Sequence, residues 1–366
     1  MSLMTSQSPT MADVARLAGC STATVSRVLN GNDSVDPVLA ERVRQAIAES
    51  NYVPNVAGRA LRTARSDLWA ILVPDVRNPF FTAVMESFES EASRLGFAVV
   101  LCNTKESLAR EKDYVNHMIA QRAAGVVMAA TSVERSQVQQ LTASGIPVVL
   151  FDRKIKGFGG DTVFIDNVMV GQLAAEHLLE QGVHHPLIVA GPSTVSSTGD
   201  RETGFRTAYE QAGTPIPAGS TLHLDLRAQD VTARLTQALQ RHQRTDGIFT
   251  ANGPLTAAAF TILRDSDCRM PTDLCLVGVD DDQWTRLVTP TVSVVSQPVE
   301  ALGRWAAQLL VSRSENPDGV PARITLQPSL LVRESSDRTG GGSGGIAGKV
   351  DESGEGGGVG EGRPTA

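Results

Sequence analysis

The sequence predicts an α/β protein: a small all-α N-terminal segment followed by two doubly wound parallel-sheet lobes. Two observations carry this. Before Pro54 the chain shows short amphipathic stretches with helix caps and no strand-like run. From Leu68 onward, short apolar runs alternate with helical stretches about 10–15 residues long, the signature of βαβ units. At 366 residues the chain also exceeds what one core needs.

The first helix spans Met11–Ala18 and ends at the turn Gly19-Cys20. The second begins after Ser21, whose hydroxyl suits an N-cap. The third runs over about Pro37–Ser50, with Asp36 as cap and Pro37 in the first turn. NYVPN ends it, because Pro54 disfavours helical backbone at Val53. VAGRALRTARS then reads as a basic linker. LWAILVP, FAVVLCN, GVVMAA, IPVVLFD and DTVFID are the strands of the first rhythm; PLIVAG, GIFTAN, LCLVGVD and TVSVVS continue the second. Right-handed crossovers make such strands parallel. Ligands then sit outside the strands' carboxyl ends. From Ser335 the chain turns to Gly, Ser and Glu, and a disordered tail is expected. Its GGSGG formally matches a nucleophile elbow, but no strand precedes it and no helix follows. The expected domains are 1–54, 55–66 (linker), 67–334 and 335–366.

Composition excludes several classes. Net charge is −7, yet residues 1–65 carry seven Arg against five acidic residues. The remainder carries 26 basic against 35 acidic groups, so any affinity for a polyanion belongs to the N-terminus. Cys20, Cys102, Cys268 and Cys275 form no CxxC pair, which predicts reduced core thiols and no metal. No run of 18 apolar residues suggests a membrane span. MSLMTSQSPT lacks the features of a secretory signal, so the cytoplasm is expected.

TATVSRVLNGN, residues 22–32, presents Thr22, Ala23, Ser26 and Arg27 on a polar face. Two short helices around a tight turn match the helix-turn-helix plan, whose second helix enters the major groove with its N-terminal residues at base edges. Arg27 suits guanine, which Arg contacts bidentately at O6 and N7. A solvated surface helix would show the same pattern.

MADVARLAGCSTATVSRVLNGNDSVDPVLAERVRQAIAESNYVPN resembles the headpiece of the LacI (lactose repressor) family, and the resemblance extends to about residue 334. It implies DNA contacts from Thr22, Ala23, Ser26, Arg27 and Asn30. It also implies that Val56–Leu61 form a hinge helix on operator DNA and that Leu61 wedges into the minor groove, unstacking a base step. Arg59, Arg62 and Arg65 would contact phosphates. Gly58 stands where the family often has Ala, and Cys20 where Val is usual.

Six fragments of the body bear on a ligand. They are NPFF (Asn78, Phe80, Phe81), FDR (Asp152, Arg153), STGDRETGF (Arg201, placed at a helix start), TAN (Asn252), VGVD (Asp280) and VVSQP (Gln297). Each falls at or just beyond a predicted strand end. Vicinal hydroxyls need bidentate donors and acceptors, and a sugar ring's apolar face needs an aromatic. Singly, each has another role open: a helix-entry turn with core aromatics, a surface ion pair, a helix-face charge, or a cap. Together they resemble the ribose-binding version of the periplasmic-binding-protein-like fold. The resemblance implies a ribose or related pentose effector between the two lobes. Asn252-Gly253 replaces the family's common Asn-Asp, and Leu226 falls where some members place an aromatic. His184-His185 reads as structural or solvated.

The resemblance thus implies a sugar-responsive repressor that binds double-stranded operator DNA as a homodimer, without cofactor or metal. A Gly-rich tail stands in place of the family's tetramerising heptads. LTAAAFTILR (Leu255–Arg264) could be interface or core. A sugar-transport component would share the lobes but need an export signal and no headpiece. A sugar-processing enzyme would need a proton donor or nucleophile in the cleft, and Asp152 beside Arg153 suits a permanently ionised acceptor instead.

Overall fold

A computed structural model describes residues 9–29, 31–32, 34–52, 66–225 and 231–340. Three helices open it: α1 (Met11–Ala18), α2 (Thr22–Leu29) and α3 (Pro37–Ser50). Each start is capped, and the caps of α2 and α3 are the Ser21 and Asp36 read from sequence. Thr10 and Asp13 form a reciprocal capping box on α1. Ser21 Oγ accepts the Thr24 N–H at 3.1 Å. Asp36 accepts the Val38 and Leu39 N–H groups at 3.0 and 3.1 Å. α1 closes at Gly19, whose φ of +62° is cheap only for glycine. The small core between the helices holds Val14, Ala15, Ala18, Val25, Val43, Ala46 and Tyr52, with Cys20 against its edge.

The body divides into two compact units. The first takes Phe81–Phe164 and Val299–Ile324 together with the chain up to Arg77; the second takes Asn78–Phe80, Ile165–Pro298 and the chain from Thr325. The first sheet contains β1 (Leu68–Val73), β2 (Ala98–Asn103), β3 (Gly125–Met128), β4 (Val148–Phe151), β5 (Asp161–Ile165) and β11 (Arg323–Leu326), in the order β11-β5-β4-β3-β1-β2. β1 pairs in parallel with β2 and β3, β3 with β4, and β4 with β5. Helices α4 (Pro79–Arg94), α5 (Leu108–Ala120), α6 (Val138–Ala143) and α11 (Val299–Glu315) accompany it. Covered faces explain why LWAILV is a continuous apolar run rather than an alternating one.

The second sheet contains β6 (Pro186–Ala190), β7 (Thr221–His223), β8 (Gly247–Thr250), β9 (Cys275–Val279), β10 (Ser293–Ser296) and β12 (Ser329–Leu331), in the order β12-β10-β9-β8-β6-β7. Its strands are parallel except β12, which runs antiparallel to β10 at the edge. That one strand departs from the all-parallel expectation. Its helices are α7 (Asn167–Glu180), α8 (Ser196–Gln211), α9 (Val231–Arg241) and α10 (Gly253–Arg264). α7 and α8 touch backbone to backbone: a Cβ at Gly171 would strike the Arg201 carbonyl oxygen, and one at Gly204 the Val168 oxygen. α10 buries Leu255, Ala259, Phe260 and Leu263 in the second core, so most of its apolar face is core.

The tail expected from Ser335 is corrected by the structure. Ser335 and Ser336 are fully buried. Ser335 Oγ donates to the Leu276 oxygen at 2.7 Å, and Ser336 Oγ lies 2.7 Å from His177 Nε2. Arg338 donates to the carbonyls of Gln181, Pro271 and Asp246. Composition misled because polar side chains, not apolar ones, tie this segment down: their hydrogen bonds to buried carbonyls need no apolar residue. Residues 341–366 lie outside the described residues. All four cysteines are free, with Cys102 and Cys275 buried. Among the described residues no helix is long and apolar enough to cross a membrane, and no cluster of three metal-ligating side chains occurs.

Candidate functional site

The N-terminal helices present the expected face. Thr22, Ala23 and Arg27 are exposed and Ser26 is half-buried, while Val25 turns into the core. Helical spacing sets this division, since residues 22, 23, 26 and 27 share one side and 25 the other. Arg42 fixes the turn by donating to the Ala18 oxygen at 2.5 Å. Asn30, Arg59 and Leu61, and the hinge helix over 56–61, lie outside the described residues.

In the first unit, Asp152 and Arg153 follow β4 directly and are buried, at 7% and 9% exposure. Asp152 holds a φ of +59°, a region that costs a non-glycine residue about 1–3 kcal/mol and clusters at functional sites. Arg153 pairs with Asp152 as expected, and it has a second, bidentate partner in Glu106. Nη1 and Nη2 each donate to one Glu106 oxygen at 2.7 Å. Arg153 Nε lies 3.4 Å from Asp152 Oδ2, an ion-pair distance without hydrogen-bond geometry, so Nε stays a buried donor with no hydrogen-bond partner. Burial works against the Arg153 charge, and Glu106 with Asp152 outweighs it, so its pKa is raised. Phe81 is nearly buried, its ring edge-on to Phe151 at 6.2 Å.

In the second unit a polar relay links four side chains. Arg201 is 5% exposed and lies inside α8, five residues beyond its start at Ser196, rather than at its N-terminus. It donates to Asn167 Oδ1 at 2.7 Å, to the Ala251 oxygen at 2.6 Å and to Gln297 Oε1 at 2.9 Å. Gln297, directly after β10, donates from Nε2 to Asp280 Oδ1 at 2.5 Å. Asp280 directly follows β9 with a φ of +75°, and its Oδ2 accepts the Gly253 N–H at 3.1 Å. Burial pushes the Asp280 carboxyl up, opposed by the Arg201 charge and by the bonds from Gln297 and Gly253. Asn252 caps α10 through the Leu255 N–H at 2.9 Å, so its Oδ1 is committed. Asn78 similarly accepts the Phe80 N–H at 3.1 Å, and Phe80 is buried. Both asparagines thus accept a backbone N–H at a helix start. Two residues of these sets were not singled out from sequence: Asn167, at the start of α7, and Glu106, after β2.

Two family descriptions match the chain. The family described as "Bacterial regulatory proteins, lacI family" matches residues 10–55, and "Periplasmic binding protein domain" matches residues 69–316. The ribose operon repressor of Halalkalibacterium halodurans is 34% identical over 89% of this chain and 97% of its own length. The chain belongs to the lacI family. As a member it is a DNA-binding transcriptional regulator, not an enzyme. A solved structure of the transcriptional regulator CelR with cellobiose is 31% identical and superposes with a TM-score of 0.68, covering 90% of this chain and 100% of that one. The lac repressor dimer bound to operator and an anti-inducer is 22% identical with a TM-score of 0.80, over 90% and 99% of the two chains, and shares the fold.

Gly253, where this lacI-family chain departs from the common Asn-Asp, has a physical reason. A Cβ there would lie 3.1 Å from both Asp280 Oδ2 and Asp282 Oδ2. A third carboxylate would meet two others. Burial first, and the Asp280 charge second, push the Asp282 carboxyl up to about 6. A raised folded-state pKa means that the folded protein binds this proton more tightly than the unfolded chain. The stabilisation is full below about pH 4 and is lost as pH rises through about 6. Asp282→Asn mimics the protonated form. It should flatten that decline and raise stability at pH 7 by about 1 kcal/mol, since solvent screens a half-exposed group. Thermal unfolding between pH 4 and 7 checks this; an unchanged pH slope in the variant contradicts it.

Proposed function

We propose that the chain is a sugar-responsive repressor whose effector is ribose or a related pentose, and that the sugar releases it from operator DNA. One observation carries the sugar reading. Each unit sets a buried guanidinium with a buried carboxylate that leaves its strand in left-handed backbone: Arg153 with Asp152, and Arg201 with Asp280. A hydroxyl donates to a carboxylate and accepts from a guanidinium, so a neutral polyol suits such sets. Neither set holds a surplus of positive charge to neutralise a phosphate or carboxylate. The effector-binding residues are proposed to be Asn78, Phe80, Phe81, Asp152, Arg153, Arg201, Asn252, Asp280 and Gln297.

The ribose repressor relative supports a pentose, while the CelR–cellobiose structure favours a second reading, a repressor answering to another sugar. Calorimetry with D-ribose, other pentoses, hexoses, cellobiose and nucleosides separates the two. Heat with D-ribose alone supports the first; binding of cellobiose and not of pentoses removes it. Arg153→Ala should weaken D-ribose binding about tenfold or more, because Asp152 and Glu106 would lose their buried cation. Operator affinity without sugar should stay at the wild-type value. A surface ion pair would instead change stability by about 0–1 kcal/mol and leave the sugar response intact.

Thr22, Ala23, Ser26, Arg27 and Asn30 are proposed to read bases, Leu61 to wedge into the minor groove, and Arg59 to hold phosphate. The domain boundaries proposed are a headpiece to residue 54, a linker to 66 and a sensor body beyond it. A homodimer in the cytoplasm completes the proposal. The edge strand β2 supports the dimer, since it exposes Val100 and Leu101 at 38% and 39%.

A further inference from the structure

Lys105 and Glu106 follow β2, and both hold left-handed backbone, at φ of +50° and +55°. Two consecutive strained residues persist only where their surroundings over-determine them. Lys105 N–H donates to Asn103 Oδ1 at 3.2 Å, and Glu106 N–H donates to the Pro74 oxygen at 3.1 Å. The strained turn is thereby tied to the carboxyl end of β1. Its product is the end-on grip on Arg153, with both Glu106 oxygens at 2.7 Å from Nη1 and Nη2. A bidentate carboxylate fixes a guanidinium in plane as well as in position. Ala130 takes a further long contact from Nη1 at 3.5 Å. These contacts use the end of the guanidinium and leave its Nε edge.

That edge is what the protein leaves unsatisfied. Arg153 Nε is buried without a hydrogen-bond partner, and Asp152 Oδ2 stands 3.4 Å away. Buried donors are normally satisfied, so an orphan beside a carboxylate marks a place for a group that can both donate and accept. A hydroxyl is such a group. Without Glu106, Arg153 would be free to turn its fork onto Asp152 and fill that place itself.

We propose that Glu106 is a positioning residue of the effector site: its carboxylate grips the end of Arg153 so that the Nε edge, beside Asp152, faces a sugar hydroxyl. The proposal rests on the assignment of Asp152 and Arg153 to the effector. Glu106 itself touches no ligand.

The test uses the full chain, labelled with ¹⁵N-arginine, as wild type and Glu106→Gln. The Nε–H resonance of Arg153, identified by its loss in Arg153→Lys, should shift and exchange faster with solvent in Glu106→Gln. D-ribose binding by calorimetry should weaken about tenfold or more. In Glu106→Gln/Arg153→Lys the loss should not exceed that of Arg153→Lys alone, because the two residues act as one unit. Glu106→Asp keeps the charge but is one methylene short, and it carries the same expectation should the glutamine variant not fold. An unchanged Arg153 resonance overturns the proposal. So does a changed resonance with unchanged D-ribose affinity, or additive losses in the double variant. If the wild type gives no heat with D-ribose, the pentose assignment falls, and the resonance alone decides whether Glu106 holds Arg153.

Discussion

Arg201→Ala is expected to abolish the sugar response and to lower the unfolding free energy by about 3–5 kcal/mol, the penalty for leaving a buried charge uncompensated. Three acceptors lose their donor at once: Asn167 Oδ1, the Ala251 oxygen and Gln297 Oε1. Gln297 then also loses what holds its amide against Asp280. The Arg201 charge is the largest influence opposing the burial of that carboxylate, so Asp280 should be driven further toward its protonated form. Arg201→Lys restores a charge but not the three-way fork, and should recover part of the stability and little of the sugar binding. Urea unfolding with calorimetry checks both. Wild-type unfolding and wild-type sugar affinity in Arg201→Ala would remove the relay from the effector site.

Arg27→Ala is expected to cost about 1–3 kcal/mol of operator binding and to relax preference at one base position per half-site. The side chain is exposed one helical turn beyond Ala23, on the face opposite the buried Val25. Arg65→Ala, at a position expected on the phosphates, should weaken all DNA alike and flatten the salt dependence by about one unit of slope. Competition against base-substituted operators, repeated across salt concentrations, separates the two. If both variants lose affinity without regard to sequence, Arg27 is a phosphate contact.

Much of this was legible because strands end where apolar runs end. FDR, VGVD and VVSQP each broke from hydrophobic to polar at one residue, and the structure places Asp152, Asp280 and Gln297 directly after β4, β9 and β10. The starts of α2 and α3 were equally plain, since Ser and Asp caps act over three residues and need no tertiary context. What stayed hidden depends on distant partners. Glu106 sits in the polar turn NTKES, and its role exists only through Arg153, 47 residues away. Asn167 looked like the entry to a helix, and only the close crossing of α7 and α8 sets it against Arg201. Arg201 drew notice as a charge, but the start of α8 was misjudged because SSTGD is polar and carries no strong cap: Val195 makes no side-chain bond there. β7, β11 and β12 were missed because they are short and at or near sheet edges, where burial leaves little apolar signature.

The claim at the centre is that sugar binding and operator binding share one free energy. The direct measurement is the operator dissociation constant of the wild-type protein, at fixed salt, with and without saturating D-ribose. Coupling of about 1–3 kcal/mol corresponds to a 5–150-fold weakening on adding sugar, and by linkage operator DNA must weaken sugar binding by the same factor. Weakening in both directions by one factor is the expected result. A sugar that binds measurably yet leaves operator affinity unchanged would contradict it.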